Sequence, residues 1–372
     1  MHIPDGYLSP STCAALYGGA LPFWYVALRR VKALFHTRLI PLISVFAAFS
    51  FVIMMFNVPI PGGTTAHAIG VGIATVVLGP WASTLSISVA LFLQALFFGD
   101  GGITTLGANC FNMAIVGSLV AYLFYHAIAR RAAITSARRV VAAAMAGYLA
   151  INASALCAAI ELGLQPLLFK NAAGAPLYAP YPLSISVPAM MIGHLTFAGV
   201  AELVISGGVV AYLQRTNPAL LSHTAPGVAP AHDKSIETVG RDGWRTARPL
   251  WTAIALLMVL TPLGILAAGA AWGEWSTRDF SNPAMRQKIM AVSGRVAPPA
   301  QTPRGLARLS AVWTAPIPNY SPSFIRRRAF GYMLSAMFGV GVIILISLLT
   351  GWLAARIRPA PAETESAGTG EV

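Results

Sequence analysis

Nine apolar runs alternate with short polar breaks, at about residues 11–28, 39–56, 66–78, 83–98, 105–127, 140–162, 184–213, 249–272 and 329–353. Runs of about 18 to 25 residues match the thickness of a bilayer. The shorter ones imply a segment that dips in beside its neighbours, where protein rather than lipid covers its backbone. The pattern predicts an all-α, polytopic membrane helical bundle of seven spans, followed by two further spans. Four units follow from it: a transmembrane bundle at 1–213, a polar linker at 214–248 placed in the cytoplasm, a two-span region at 249–355 with an extracytoplasmic loop, and a charged, disordered tail at 356–372. No internal repeat is visible, so an inverted-repeat carrier is not suggested.

Composition strengthens the membrane reading. Hydrophobic residues make up 56% of the 372 and charged residues only 10%, against about 25% charged in a typical soluble domain. A net charge of +13 would suggest nucleic acid in a soluble chain. Here the basic residues cluster between apolar runs: Arg29, Arg30, Lys32 and Arg38, then Arg130, Arg131, Arg138 and Arg139, then Arg215. Such clusters mark the cytoplasmic side and set the N-terminus outside. Arg326, Arg327 and Arg328 precede the last run on the side that parity assigns as outside, so they run against the rule. No aromatic-basic interleaving for nucleic acid is present. The three cysteines, Cys13, Cys110 and Cys157, lie unpaired within apolar runs and read as packed small hydrophobes. No cleavable signal peptide is expected, because no positive charge precedes the first run.

The chemistry begins at Met1-His2-Ile3-Pro4-Asp5-Gly6. His2 is a poor neighbour for removal of the initiator methionine, so Met1 is the expected terminus. Its α-amine, the His2 amide nitrogen and His2 Nδ1 can close two fused chelate rings around one ion. Such a nitrogen plane suits Ni(II) or Cu(II). His67 follows Pro61-Gly62-Gly63-Thr64-Thr65-Ala66 on the same side and supplies a fourth nitrogen. Alone it reads as a capping or interfacial histidine; beside His2 it reads as a ligand.

The stretch Phe98-Gly99-Asp100-Gly101-Gly102-Ile103-Thr104-Thr105-Leu106-Gly107-Ala108-Asn109 breaks a helix with glycines. Asp100, Asn109 and Asn112 are candidates to support a ligating imidazole from behind, or simply to cap a turn. Gln94, Glu161, His194 and Glu202 lie within spans. His194 and Glu202 are eight apart and share a helix face, which offers a proton relay or bundle-interior contacts. The small residues Ala142, Ala146 and Ala150 offer a close-packing face. There is no Gly-x-x-x-x-Gly-Lys-Ser/Thr, no His-Glu-x-x-His and no Gly-x-Ser-x-Gly, which removes P-loop, zincin and nucleophile-elbow chemistry.

The N-terminal decapeptide, residues 61–67 and residues 96–109 together resemble the nickel/cobalt substrate-capture M component of energy-coupling factor transporters, the NikM/CbiM family. The likeness covers about residues 1–215. It implies a non-catalytic transporter subunit of the bacterial inner membrane, with the N-terminus folded into the bundle and the metal held by Met1, His2 and His67. It also implies a transmembrane scaffold (T/Q) subunit and ATPase (A/O) subunits as partners, with no permanent cofactor and Ni2+ or Co2+ as cargo. Residues 240–355 resemble the small N component, including an echo of its Pro-Asp-Gly-Leu-Glu signature that reads Pro303-Arg304-Gly305-Leu306-Ala307 here. Both acidic positions are lost. A nitrogen plane and Pro4-Asp5 favour nickel; cobalt import serving cobalamin synthesis and a proton-coupled secondary carrier using His194 and Glu202 are the alternatives.

Overall fold

A computed structural model describes residues 1–33, 39–59, 64–222, 224–226, 243–265, 277–292 and 298–356. Residues 34–38, 60–63, 223 and 227–242 of the expected linker, 266–276, 293–297 and 357–372 lie outside the described residues.

The described chain is helical apart from one antiparallel pair of two-residue strands, β1 (Val58–Pro59) and β2 (Thr65–Ala66), with Val58 opposite Ala66. The helices are α1 (Pro10–Ala33), α2 (Leu39–Met54), α3 (Val71–Leu78), α4 (Pro80–Leu93), α5 (Leu106–Asn109), α6 (Gly117–Ala129), α7 (Ala137–Leu168), α8 (Leu183–Gly193) and α9 (Gly199–Thr216). Three π-helical turns interrupt them: Gln94–Phe98 after α4, Cys110–Val116 between α5 and α6, and His194–Ala198 between α8 and α9. Such bulges occur frequently at functional sites. The 32-residue α7 is the central helix and packs against α6, α8 and α9. Its buried face carries Ala142, Ala143, Ala146, Ala150, Ala155 and Ala159. Small side chains let neighbouring backbones approach closely where lipid offers no hydrophobic drive to association.

Among the described residues, five helical segments are long and apolar enough to cross a membrane: Pro80–Phe98, Leu106–Ala129, Ala137–Leu168, Leu183–Thr216 and Arg328–Thr350. The expected run at 66–78 is not a full crossing. Only the eight residues of α3 are helical and all are buried; at 1.5 Å per residue they reach about 12 Å. β2 and the irregular residues 67–70 lead into it, with Gly70 left-handed at φ +76°. Hydropathy registers burial in protein and burial in lipid alike, which is why a core half-helix resembled a span. The α3 N-terminus is capped by Glu202 from α9. Its Oε2 accepts from the Ile69 and Gly70 amides at 2.9 and 2.8 Å, and Oε1 from Gly72 at 3.0 Å. A carboxylate there offsets the exposed N–H groups and the positive end of the helix dipole.

The C-terminal region packs on the bundle. Helix Gly243–Leu260 and helix Arg328–Arg356 both lie against α2. A short helix, Arg304–Leu309, anchors at residue 177 through the Gly305 amide, 2.7 Å from the Leu177 carbonyl.

The N-terminal segment threads into the bundle and lies on the loop after Phe98. A Cβ on Gly102 would stand 2.3 Å from Asp5 Oδ1 and 2.4 Å from the Asp5 amide nitrogen. Gly102→Ala is therefore expected to unseat this segment at a cost of about 1–3 kcal/mol, as overpacking does. A lowered apparent melting temperature in detergent would report it. Gly18→Ala, where a new Cβ meets nothing within 4 Å, should not lower that temperature, because alanine is the better helix former.

Candidate metal centre

The first residues are buried by design of their neighbours. Met1, Ile3, Tyr7 and Leu8 are each no more than 1% exposed. The Ile3 amide donates to Asn109 Oδ1 at 2.9 Å, and the Ile3 carbonyl accepts from Asn109 Nδ2 at 3.1 Å and from the Gly102 amide at 3.0 Å. One asparagine thus grips both main-chain groups of one residue. Asp5 closes the other side. Its carboxylate accepts from the Ile103 amide at 3.1 Å and the Thr104 amide at 2.8 Å, and from the Thr104 hydroxyl. Gly101 takes φ +81° beside Asn109 and His2, a left-handed conformation that glycine adopts readily.

Of the expected ligands, the structure brings Met1, His2 and His67 together. The Met1 α-amine donates to the Thr65 carbonyl, and to Thr65 Oγ1 at 3.1 Å, so β2 holds the terminus. The His2 and His67 rings stack with centroids 4.6 Å apart and planes inclined by 20°. His67 is buried. Its Nδ1 lies 3.1 Å from the Ala68 carbonyl and serves as the donor there. Its Nε2 is buried without a hydrogen-bond partner. Burial first, then the Met1 ammonium and the His2 ring, hold this imidazole well below the usual histidine range. It is therefore neutral, with a lone pair on Nε2 available to a cation.

His2 Nδ1, the atom the chelate requires, sits 2.8 Å from Asp100 Oδ1, though not aligned as a hydrogen bond. Burial pushes the Asp100 carboxyl up, but the His2 ring beside it, the hydrogen bond from Tyr320 and the Met1 charge outweigh that and hold it below the usual carboxylate range. Asp100 and Asn109 thus both touch the candidate ligand segment. Asn112 does not: its Nδ2 donates to Glu161 Oε2 at 2.8 Å. Among the described residues no three His, Cys, Asp or Glu side chains converge on a metal-binding point, so a metal centre here has to recruit main-chain nitrogen.

The proton-relay pairing of His194 with Glu202 is not formed. Glu202 is engaged by the α3 amides and by Ser206 at 3.4 Å, while His194 Nδ1 lies 2.7 Å from the Met190 carbonyl. Sequence reasoning used Asp5 only as a sign of nickel and gave it no contact, and it passed over Tyr320. Asp5 was detectable as a carboxylate within the terminal motif; Tyr320 carried no local signal. Asn109→Ala strands the Ile3 amide, while the Ile3 carbonyl keeps the Gly102 amide and the Thr105 hydroxyl, a loss of about 1–3 kcal/mol for the one buried group. It should raise amide hydrogen exchange across residues 2–6; exchange equal to that of the native chain would contradict this anchoring.

Comparison with known proteins follows the same two regions. Residues 2–220 match the family described as the cobalt uptake substrate-specific transmembrane region, CbiM. Residues 248–356 match the PDGLE domain, despite the two missing carboxylates of its signature. The chain is 54% identical over 360 residues to the fused nickel transport protein NikMN of Rhodobacter capsulatus, covering 97% of this chain and 100% of that one. It is 44% identical over 292 residues to the probable fused nickel transport protein LarMN of Lactiplantibacillus plantarum, covering 78% and 82%. A crystal structure described as a transition metal transporter is similar with a TM-score of 0.55 at 53% identity, over 58% of this chain and 93% of that one. The chain belongs to the cobalt uptake substrate-specific transmembrane family, CbiM, and carries a PDGLE domain behind it.

Proposed function

We propose that this chain is the substrate-binding membrane subunit of an energy-coupling factor importer, which captures a divalent transition metal from outside the bacterial inner membrane. The observation that carries the reading is the burial, in one place, of the Met1 α-amine, the His2 ring and the unpartnered Nε2 of His67. Met1, His2 and His67 are the ligands in this account, with Asp100 and Asn109 in support. A half-turn of the His2 ring about Cβ–Cγ frees Nδ1 for the chelate. It also carries Nε2 to the Asp100 side, where the carboxylate can accept its N–H, as carboxylates commonly do for ligating histidines.

Nickel is the favoured cargo, since an ionised amide in a nitrogen plane suits Ni(II), and the relatives from Rhodobacter and Lactiplantibacillus are named for nickel. Cobalt is the second reading, favoured by the family's own description. With no P-loop in the sequence, hydrolysis falls to partner ATPase subunits working through a transmembrane scaffold. Release inward then follows reorientation of the bundle by those partners. The basic clusters after α1 and between α6 and α7 support an extracytoplasmic N-terminus. The engaged Glu202 carboxylate argues against a proton-coupled carrier on that residue.

Metal uptake in cells expressing the chain with its partners tests the ligand set. One glycine added before Met1 moves the α-amine out of the chelate and should reduce uptake to background; uptake equal to that of the native start would overturn the assignment. Amine and amide donors must lose protons to bind, so binding releases protons and weakens as pH falls. Affinity for Ni2+ in detergent should drop steadily below pH 7, with proton release on titration above it; an affinity independent of pH would contradict an amine and amide donor set.

A further inference from the structure

Asp100 is held from two sides. Its Oδ1 faces His2 Nδ1 at 2.8 Å, and its Oδ2 accepts from the Tyr320 hydroxyl at 2.6 Å. The same hydroxyl accepts from Gln94 Nε2 at 3.0 Å. Gln94 opens the π-helical turn that delivers the loop carrying Asp100. Tyr320 comes from elsewhere: it closes the 3-10 turn Pro318–Tyr320 within the region matching the PDGLE domain. Its ring stacks on Phe98 at 4.7 Å and 22°, and lies 6.3 Å from Phe51. The segment is locked in place beside it. The Trp313 indole donates to the Leu96 carbonyl at 2.9 Å, and the Ile317 amide to the Phe97 carbonyl at 2.9 Å.

A buried carboxylate with only one satisfied oxygen can swing away from the ring it supports. Here the second oxygen has a dedicated donor, and that donor's own lone pair is used by Gln94, so the hydroxyl has one orientation. The C-terminal region is thereby wired into the metal centre rather than merely packed beside it. We propose that Tyr320 is a positioning residue of the metal centre: through its hydroxyl it fixes Asp100 against His2, so that the C-terminal region completes the site that the N-terminal segment begins. This rests on the ligand reading above.

The test uses the full chain in detergent. Tyr320→Phe removes the hydroxyl and keeps the stack on Phe98. Loss of an outer partner of a ligating histidine costs about 10- to 100-fold in metal affinity, so Tyr320→Phe should weaken Ni2+ binding by about tenfold. In an Asp100→Asn background the same change should add little, because both act on one chain of contacts. Phe324→Ala changes the same region at an 80% exposed position away from this junction and should bind Ni2+ normally. Wild-type affinity in Tyr320→Phe, independent and additive losses in the double variant, or an equal loss in Phe324→Ala would each overturn the proposal.

Amide exchange of residues 2–6 in nickel-free buffer separates this from the ligand assignment. Tyr320→Phe should raise that exchange. If the glycine-extended chain binds Ni2+ like the native one while Tyr320→Phe still raises exchange, the ligand set fails and the positioning of His2 stands. Unchanged exchange in Tyr320→Phe sinks the positioning role whatever the ligands are.

Discussion

The structure depends on an N-terminus that is folded inward. Burying an α-amine and the main chain that follows it is costly unless each polar group finds a partner. Thr65 receives the amine, Asn109 and Gly102 take the Ile3 main chain, and Asp5 caps the loop at 102–104. The glycines at 101 and 102 exist to let that segment lie flat on the loop. Take away the inserted terminus and the pocket around His67 loses one wall.

Around that insertion the bundle is built from interrupted elements. Gln94 opens one π-helical turn and His194 another, and α3 is a half-helix whose amide end is closed by Glu202. Backbone that departs from regular helix at membrane depth survives only where protein covers it. Here α7 packs against the turns at Cys110–Val116 and His194–Ala198, and the Pro318–Tyr320 turn packs against Gln94–Phe98. The C-terminal region adds a further layer on α2 and reaches Asp100 through Tyr320. The two family regions of the chain thus meet at one carboxylate.

Much of this was legible in the sequence. The apolar runs predicted the long helices, and a terminal amine followed by histidine singled out Met1 and His2 as partners for His67. The Gly-Asp-Gly-Gly stretch announced a loop with buried polar work to do. Four features were not legible, for physical reasons. The run at 66–78 is a buried half-helix, and hydropathy cannot distinguish a protein interior from lipid. Asn112 sits near the loop in sequence, but within the π-helical turn Cys110–Val116 its side chain reaches Glu161 instead of the terminus. Tyr320 meets Asp100 across 220 residues, and no local pattern marks a single tyrosine for such a contact. The orientation of His2 Nδ1 toward Asp100 is likewise a product of packing, which spacing alone does not encode.

The central claim is that the terminal amine, His2 and His67 form one metal centre. An anomalous difference map at the nickel edge, from crystals of the full chain loaded with Ni2+, tests it most directly. The account predicts a single strong peak within bonding distance of the Met1 α-nitrogen, the His2 nitrogens and His67 Nε2. A peak elsewhere in the bundle, with the Met1 amine still on Thr65, would contradict it.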